Sequence, residues 1–410
     1  MSEAPLVMKF GGTSVGGGAE FVRAAQIAAG AAESGPVAAV VSAMSGTTDA
    51  LLGMTARTST ATTGGVLDRH LAAARHAVSG RFLPQVESWL RELAARLDRT
   101  LRSPNGSAAA HRDAVAGFGE RFSAAVLAGA LCSLGVPARV ADDPIATDAS
   151  FGGAAVDAAA TRRRAARCVW PVLDGGAVAV VPGYVGRAPD GSITTLGRGG
   201  SDLSATALGR ALGSREVWIL TDVSGVFDAD PDLVPEAAPV SGLSYREAAA
   251  FARLGAKVLH PKTMQPAAAS GMEILVKNTF DLGAPGTRIS AREGAPGVRC
   301  IGLRRGLSLE RLPAAGSRSV FCVLGADSGS VRALVEAPDG GVAVVAGIGA
   351  PADGDLLCGI RALEAAGIHP LWAGSTTAGL TFAVPDGAAV EAVRVLHREL
   401  VRACLVEEVA

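Results

Sequence analysis

The chain has 410 residues, 49% of them hydrophobic, which is enough for two or three domains with buried cores. Its formal net charge of −1 excludes a strongly basic protein, so neither nucleic acid nor an acidic membrane surface is expected as a partner. No apolar run is as long as a membrane helix, no signal-peptide pattern opens the chain, and the six cysteines contain no CxxC pair, so the sequence predicts a cytoplasmic protein without a resident metal site.

Apolar segments alternate with helical segments through residue 259. The apolar segments predict buried strands over residues 5–10, 36–44, 177–186 and 216–227. Helical spacing predicts helices over residues 18–34, 64–103, 111–135, 201–213 and 244–259. This alternation predicts an α/β fold with a mostly parallel sheet covered on both faces, and ligand loops beyond the carboxyl ends of the strands.

The C-terminal part of the chain has a different pattern. Residues 284–298 are rich in loop-forming residues and predict a linker. Residues 301–335 are expected to hold about two strands and one short helix. Residues 341–409 predict the order strand, helix, strand, strand, helix, strand, which is that of a ferredoxin-like βαββαβ unit.

The first predicted strand ends in a lysine followed by two glycines. Gly11 and Gly12 would let backbone N–H groups approach phosphate oxygens closely. Lys9 could then neutralise charge on a phosphoryl group in transfer. Because a Walker A loop has its lysine after the glycines, in GxxxxGK[ST], a P-loop NTPase is not expected.

A second glycine loop, TTLGRGGSD at residues 194–202, contains a single arginine. A glycine loop that opens a helix presents free N–H groups and the positive end of the helix dipole, which suits an anion. Arg198 adds a planar guanidinium that can hold a carboxylate or phosphate through two parallel bonds. On these nine residues alone, an ordinary strand-to-helix turn is an equally good interpretation.

Further polar residues accompany the predicted strands and helices. Glu120 belongs to a mainly apolar helix, so it should meet a cation, either an amino-acid ammonium or an arginine such as Arg121. Thr221 and Asp222 end a strand and could bind a base or ribose, and Lys257, at a helix end, could reach a triphosphate.

Seven motifs of the chain together resemble aspartate kinase in order and spacing. They are KFGGTSV (9–15), VVSAMSGTTDAL (40–51), GFGERFSA (117–124), TLGRGGSD (195–202), TDVSGVFDADP (221–231), GAKVLHPKT (255–263) and NTFDLGAPGT (278–287). The resemblance implies a three-layer αβα catalytic domain over residues 1–293. It also implies regulatory ACT modules in the C-terminal region, a truncated or degenerate first one at 299–340 and a second at 341–410.

The resemblance also implies a reaction and the residues that perform it. ATP, with Mg²⁺, would phosphorylate the β-carboxylate of L-aspartate to give 4-phospho-L-aspartate and ADP, in a homodimer or larger assembly joined through the ACT region. The implied substrate-binding residues are Thr48, Glu120, Arg198, Gly199, Gly200 and Ser201, with Ser42 as a further candidate. The implied nucleotide-binding residues are Lys9, Phe10, Gly11, Gly12, Thr221, Asp222, Phe227, Asp232, Lys257 and Val258. The implied catalytic residues are Lys9, Asp202 and Lys257.

Two departures from the family pattern leave alternatives open. Phe227 and Asp232 stand where the family usually has tyrosine and arginine, and an anion at 232 should weaken ATP binding unless another arginine substitutes. The first ACT module also lacks room for its long helix and the strand after it. Asp232 favours the alternative of a catalytically weak paralogue that binds nucleotide or amino acid and acts as a regulatory subunit. A kinase for another acidic amino acid is a further alternative, because the motifs do not identify the remaining walls of the pocket.

Overall fold

The computed structural model describes residues 3–56, 60–104, 106–255, 259–293, 297–313, 320–327, 330–376 and 379–402. Its strands are β1 (Leu6–Phe10), β2 (Val37–Val41), β3 (Ala138–Val140), β4 (Val178–Pro182), β5 (Val185–Arg187), β6 (Ile193–Thr195), β7 (Glu216–Thr221), β8 (Gly242–Ser244), β9 (Glu273–Asn278), β10 (Thr287–Ser290), β11 (Gly297–Pro313), β12 (Val320–Asp327), β13 (Ser330–Glu336), β14 (Val342–Ala350), β15 (Trp372–Thr376) and β16 (Gly379–Pro385). Its α-helices are α1 (Gly18–Ala32), α2 (Thr47–Ala56), α3 (Thr63–Ala77), α4 (Phe82–Arg102), α5 (Ala108–Ala116), α6 (Phe118–Ser133), α7 (Ala158–Cys168), α8 (Trp170–Asp174), α9 (Gly200–Leu212), α10 (Tyr245–Arg253), α11 (Met264–Ala268), α12 (Asp355–Ala365) and α13 (Ala389–Leu396).

The chain divides into two compact units. The first contains Met1–Ser224 and Lys262–Ser290, and the second contains Gly225–Pro261 and Ala291–Ala410. Residues 225–261 therefore group with the C-terminal region, whereas the sequence assigned them to a catalytic domain over residues 1–293. That domain boundary stays a prediction.

Seven strands of the first unit form a sheet in the order β3-β4-β2-β1-β7-β9-β10. Every neighbouring pair is parallel except β9 with β10, which is antiparallel. Strands β1, β2 and β4 are almost wholly buried, as expected for strands covered on both faces. This arrangement confirms the predicted α/β fold with a mostly parallel sheet.

Alternate residues of β1 serve the two faces of this sheet. Met8 and Phe10 are fully buried in a core that includes Phe21 of α1, Leu90 of α4 and Phe122 of α6. Lys9 points to the opposite face, where α9 packs against β1. Because side chains alternate between the faces of a strand, Lys9 lies on the face of the sheet that α9 covers.

The predicted long helix over residues 111–135 is two helices, α5 and α6, which meet at Gly117. Arg121 Nη1 donates to the Gly117 carbonyl at 3.2 Å, and a side chain that enters the helical hydrogen-bond ladder in this way favours a break. The combined stretch Ala108–Ser133 is long and apolar enough to cross a membrane, which the sequence analysis did not expect. Since 89% of its apolar window is buried inside the protein, this is weak evidence for a membrane span.

The second unit contains a six-stranded antiparallel sheet in the order β12-β13-β11-β14-β16-β15. Strand β14, helix α12, strands β15 and β16 and helix α13 follow one another as predicted for the βαββαβ unit. A π-helical segment, His397–Arg402, extends α13. The last predicted strand, over 403–409, lies outside the described residues.

Two expectations about the C-terminal region were wrong. Residues 301–335 contribute to three strands, β11, β12 and β13, and none of the described residues among them is helical. The expected linker over 284–298 contains β10 and the start of β11. In both places apolar and polar residues alternate over only a few positions, which is too few to distinguish a strand from a loop or a helix.

Candidate active site

A cavity of about 810 Å³ in the first unit brings together half of the predicted site residues. It lies beyond the carboxyl ends of β1 and β2 and at the start of α9, as expected for a parallel sheet. The predicted residues that line it are Lys9, Ser42, Thr48, Glu120, Arg198, Gly199, Gly200, Ser201 and Asp202. The cavity therefore joins five separate stretches of the chain.

Lys9 and Asp202 form an ion pair at the edge of this cavity. The distance from Lys9 Nζ to Asp202 Oδ1 is 2.6 Å, and both residues are largely buried. A β-carbon at Gly11 would lie 3.3 Å from the same Nζ atom, so glycine leaves space beside the ammonium. The pair holds one positive charge at the end of β1, where a phosphoryl group could approach it.

The loop before α9 depends on glycine for its shape. Gly197 and Gly199 have φ angles of 75° and 70°, in the left-handed region that favours glycine. A β-carbon on Gly200 would lie 2.7 Å from Cδ2 of Tyr184, which is too close. Among the described residues no side chain caps the N-terminus of α9. The Gly200 N–H donates to the Gly197 carbonyl at 2.9 Å, so the Ser201 N–H is the first one placed to bind an anion.

Arg198 extends from this loop as an exposed side chain. Throughout the described ranges it has no hydrogen-bond or ion-pair partner. Its guanidinium therefore keeps its full capacity for a carboxylate or phosphate ligand.

Glu120 is buried beneath the cavity, with only 3% of its surface exposed. Its Oε2 atom has no hydrogen-bond partner among the described residues. Burial raises the pKa of Glu120 to about 8, although hydrogen bonds from its own backbone and that of Ala43 oppose the shift. The alternative partner, Arg121, is instead held by both carboxylate oxygens of Asp143 at 3.0 Å. Glu120 is thus a buried acid that a ligand cation would complete.

Asp113, a buried residue of α5, was not predicted. Its Oδ2 accepts bonds from the Gly152 and Thr195 N–H groups, both at 2.8 Å, and its Oδ1 accepts from Thr195 Oγ1 at 2.9 Å. These bonds tie α5 to β6, which leads into the arginine loop. Because the partners lie 39 and 82 positions away, no local pattern could have identified Asp113. Tyr184 and Arg112 also line the cavity and were not predicted.

The predicted nucleotide-binding residues are not all part of this cavity. The Phe10 side chain is in the core, so only its backbone could contact a ligand. The Gly11 N–H donates to the Leu220 carbonyl at 3.1 Å, and Thr221 Oγ1 donates to Asp222 Oδ1 at 3.1 Å. Gly12, Thr221 and Asp222 follow strand ends in the first unit without lining the cavity.

The remaining nucleotide candidates belong to the second unit or are not described. Phe227 pairs with Pro239 in an isolated bridge, and the Asp232 N–H donates to Asp230 Oδ1 at 3.0 Å. Lys257 and Val258 lie outside the described residues. The nucleotide-binding role of all four stays a prediction.

Comparison with known proteins gives a consistent set of similarities. Residues 4–278 match the family model described as the amino acid kinase family. Aspartokinase 1 of Arabidopsis thaliana chloroplasts is 34% identical over 304 residues, which cover 69% of this chain and 52% of that protein. The aspartokinase of Thermus thermophilus is 35% identical over 290 residues, which cover 70% of this chain and 59% of that protein. The match thus spans little more than half the length of these curated relatives.

Solved structures show the same similarity over a longer part of the chain. E. coli aspartokinase III in complex with aspartate and ADP matches with a TM-score of 0.81 and 26% identity, over 96% of this chain and 99% of that one. The aspartate kinase of Clostridium acetobutylicum matches with a TM-score of 0.77 at 19% identity, which supports the fold alone.

Proposed function

The chain belongs to the amino acid kinase family, and from that premise we propose that it is an aspartate kinase. It transfers the γ-phosphate of ATP to the β-carboxylate of L-aspartate and yields 4-phospho-L-aspartate and ADP. The observation that carries this proposal is one cavity lined by an unpartnered arginine, a buried carboxyl group without a cation and a fixed lysine.

The two unpartnered groups suit an acidic amino acid. The ammonium of the substrate would bind Glu120 Oε2 and supply the missing positive charge, while a substrate carboxylate would bind the Arg198 guanidinium in bidentate fashion. At the start of α9 the Ser201 N–H would bind the same anion, Gly199 and Gly200 would leave room for it, and Thr48 and Ser42 line the same cavity. The aspartate and ADP bound to the E. coli neighbour, at 26% identity, support this choice of substrates.

For this reaction the protein has to position the two substrates and neutralise the charge on the transferred phosphoryl group. A β-carboxylate is already ionised at neutral pH, so the attack on the γ-phosphorus needs no general base. Lys9, oriented by Asp202 at 2.6 Å, would neutralise charge on the phosphoryl oxygens. Lys257 would supply a second cation in the same role.

Mg²⁺ would arrive with the nucleotide as the substrate MgATP. Among the described residues, no group of three or more His, Cys, Asp or Glu side chains could hold a metal ion. In kinase sites Mg²⁺ is usually held by substrate phosphates, waters and only one or two protein carboxylates. Thr221, Asp222, Phe227, Asp232 and Val258 would contact the nucleotide, as the family resemblance implies.

We further expect a cytoplasmic homodimer or larger assembly, joined through the C-terminal region. The six-stranded antiparallel sheet of the second unit supports an ACT-type region.

A coupled assay for ADP release tests the proposed substrate. The purified chain, MgATP and a panel of L-aspartate, L-glutamate and N-acetyl-L-glutamate would be compared by kcat/KM. We expect L-aspartate to exceed the others by at least about 100-fold, since an extra methylene misplaces the reacting carboxylate. Faster turnover of L-glutamate would favour a kinase for another acidic amino acid, and binding of aspartate without turnover would favour a regulatory subunit.

A further inference from the structure

A second cavity of the first unit, of about 310 Å³, is lined by four arginines. Arg96 and Arg99 come from α4, Arg121 from α6 and Arg187 from β5. None of the described residues that line it also lines the substrate cavity. The remaining wall is mainly apolar and includes the Phe118 ring and Ile193.

Two of the four guanidinium groups share a single carboxylate. Arg121 Nη2 donates to both oxygens of Asp143 at 3.0 Å, and Arg187 Nη2 donates to Asp143 Oδ2 at 2.5 Å. Asp143 is only 2% exposed, so this three-residue cluster is a fixed part of the cavity wall. It supplies a rigid positive surface, because two cations share one carboxylate.

The other two arginines have no such partner. Arg96 and Arg99 are exposed on successive turns of α4 and make no hydrogen bond or ion pair through their side chains anywhere in the described ranges. Arg99 is in the last turn of α4, where the helix dipole stabilises a positive charge. Arg96 is outside that turn, so the dipole does not explain why a cation is found there. Like charges this close on one helix are unfavourable unless an anion joins them.

The charges around the cavity do not balance. Asp142 is the second carboxylate near the cluster, and its pKa is raised by partial burial and by the Asp143 charge. Four guanidinium groups therefore face two carboxylates, which leaves an excess of two positive charges. A phosphate monoester carries nearly two negative charges at neutral pH.

We infer that this cavity binds the phosphate group of a small phosphorylated molecule. Planar guanidinium groups hold phosphate oxygens through paired bonds, and Arg96 and Arg99 have all of their side-chain donors available for them. A volume of about 310 Å³ exceeds that of phosphate alone, and the apolar wall leaves room for a short organic part.

Calorimetric titration of the full chain with inorganic phosphate tests this site. The ionic strength would be held constant with chloride, and ADP and L-aspartate would be present to occupy the substrate cavity. The double variant Arg96→Gln/Arg99→Gln is compared with Arg102→Gln, a matched loss of an exposed arginine on the same helix. Glutamine keeps the helix propensity of arginine, and far-UV circular dichroism in chloride checks that the variants fold.

We expect saturable binding with a Kd of about 1 mM or tighter for the unmodified chain and Arg102→Gln. The double variant should bind at least about tenfold more weakly, since two charge-assisted contacts are lost. Equal affinity in all three proteins, or no saturable binding to the unmodified chain, would overturn the inference. Glycerol 3-phosphate is the second probe. Tighter binding than inorganic phosphate indicates a phosphorylated metabolite as the ligand, and equal binding indicates free phosphate. In either case the double variant Arg96→Gln/Arg99→Gln should bind more weakly.

Discussion

Two side chains of the substrate cavity lack partners for opposite physical reasons. Arg198 is exposed, so water solvates its charge and the free loop pays no desolvation cost. Glu120 is buried, and its pKa of about 8 means that the empty site holds it largely as a neutral acid at pH 7. A ligand with a carboxylate and an ammonium would complete both groups, and each can be tested separately.

Arg198→Lys tests the bidentate contact. Lysine keeps the charge but loses the planar fork, so we expect the aspartate KM to rise by about tenfold or more while the ATP KM changes little. Arg210→Lys, at the far end of α9, is the matched control and should leave both constants unchanged. Near-normal aspartate kinetics for Arg198→Lys would mean that the arginine only shapes the loop.

The raised pKa of Glu120 predicts a pH-dependent affinity for aspartate. Below pH 8 the empty cavity holds the neutral acid, and binding of an ammonium requires its ionisation. The aspartate KM should therefore fall by up to about tenfold per pH unit from pH 6 and level off near pH 8. Glu120→Gln should show a high KM without this dependence, whereas Asp49→Asn, which removes an exposed carboxylate from the same cavity, should keep it. A flat profile for the unmodified chain would contradict the assigned role.

For helices and strands, the sequence predicts which side chains lie at the strand ends but not the hydrogen bonds that hold those strand ends in place. The positions of Lys9 and Arg198 follow from the rule that loops at the carboxyl ends of parallel strands share one edge. The support from Asp113 depends on hydrogen bonds between α5, β6 and the loop at Gly152, and such long-range contacts leave no periodic signal. The break at Gly117 was missed for a different reason: the contact of the Arg121 side chain with the Gly117 carbonyl is local, but hydrophobic periodicity continues across the break and does not report it.

Asp113→Asn tests whether α5 positions the glycine loop at residues 194–202 that carries Arg198. Asparagine has one acceptor oxygen where aspartate has two, so at least one of the hydrogen bonds from Gly152 and Thr195 would be lost. The free energy of unfolding should therefore fall by about 1–3 kcal/mol. The aspartate KM should rise as well, because the arginine loop loses its anchor. Asp157→Asn, at the N-cap of α7, is the control, since asparagine caps as well as aspartate. Urea unfolding and steady-state kinetics measure both effects, and lost stability with an unchanged KM would limit Asp113 to a structural role.

At the scale of the whole molecule, the C-terminal region differs most from the sequence-based expectation. Ala229 and Val234 of the segment 225–261 belong to the same hydrophobic core as Phe382 and Leu396. His397 Nε2 also lies 3.1 Å from Asp228 Oδ1, and both side chains are buried. Motifs in this segment resemble catalytic ones, so only the packing could reveal that it groups with the second unit.

The first ACT-like stretch predicts how effectors act on the whole enzyme. The sequence predicts that the stretch over 299–340 lacks room for the long helix of a first ACT module. E. coli aspartokinase III has a solved complex with lysine and aspartate. Because a truncated module would offer no helix N-terminus to an amino-acid carboxylate, we expect activity here to be insensitive to lysine and threonine, alone or together.

Titration of both amino acids at saturating and sub-saturating aspartate, with light scattering for the assembly size, measures this. Inhibition by lysine or threonine at sub-millimolar concentration would show that the stretch over 299–340 retains an effector site.

Trapping of the acyl phosphate tests the central claim most directly. The purified chain would be incubated with MgATP, L-aspartate and hydroxylamine, which converts an acyl phosphate to a stable hydroxamate. We expect aspartate hydroxamate in a one-to-one ratio with ADP, and neither product when L-aspartate is omitted. Absence of hydroxamate at millimolar aspartate, with or without ADP release, would contradict an aspartate kinase.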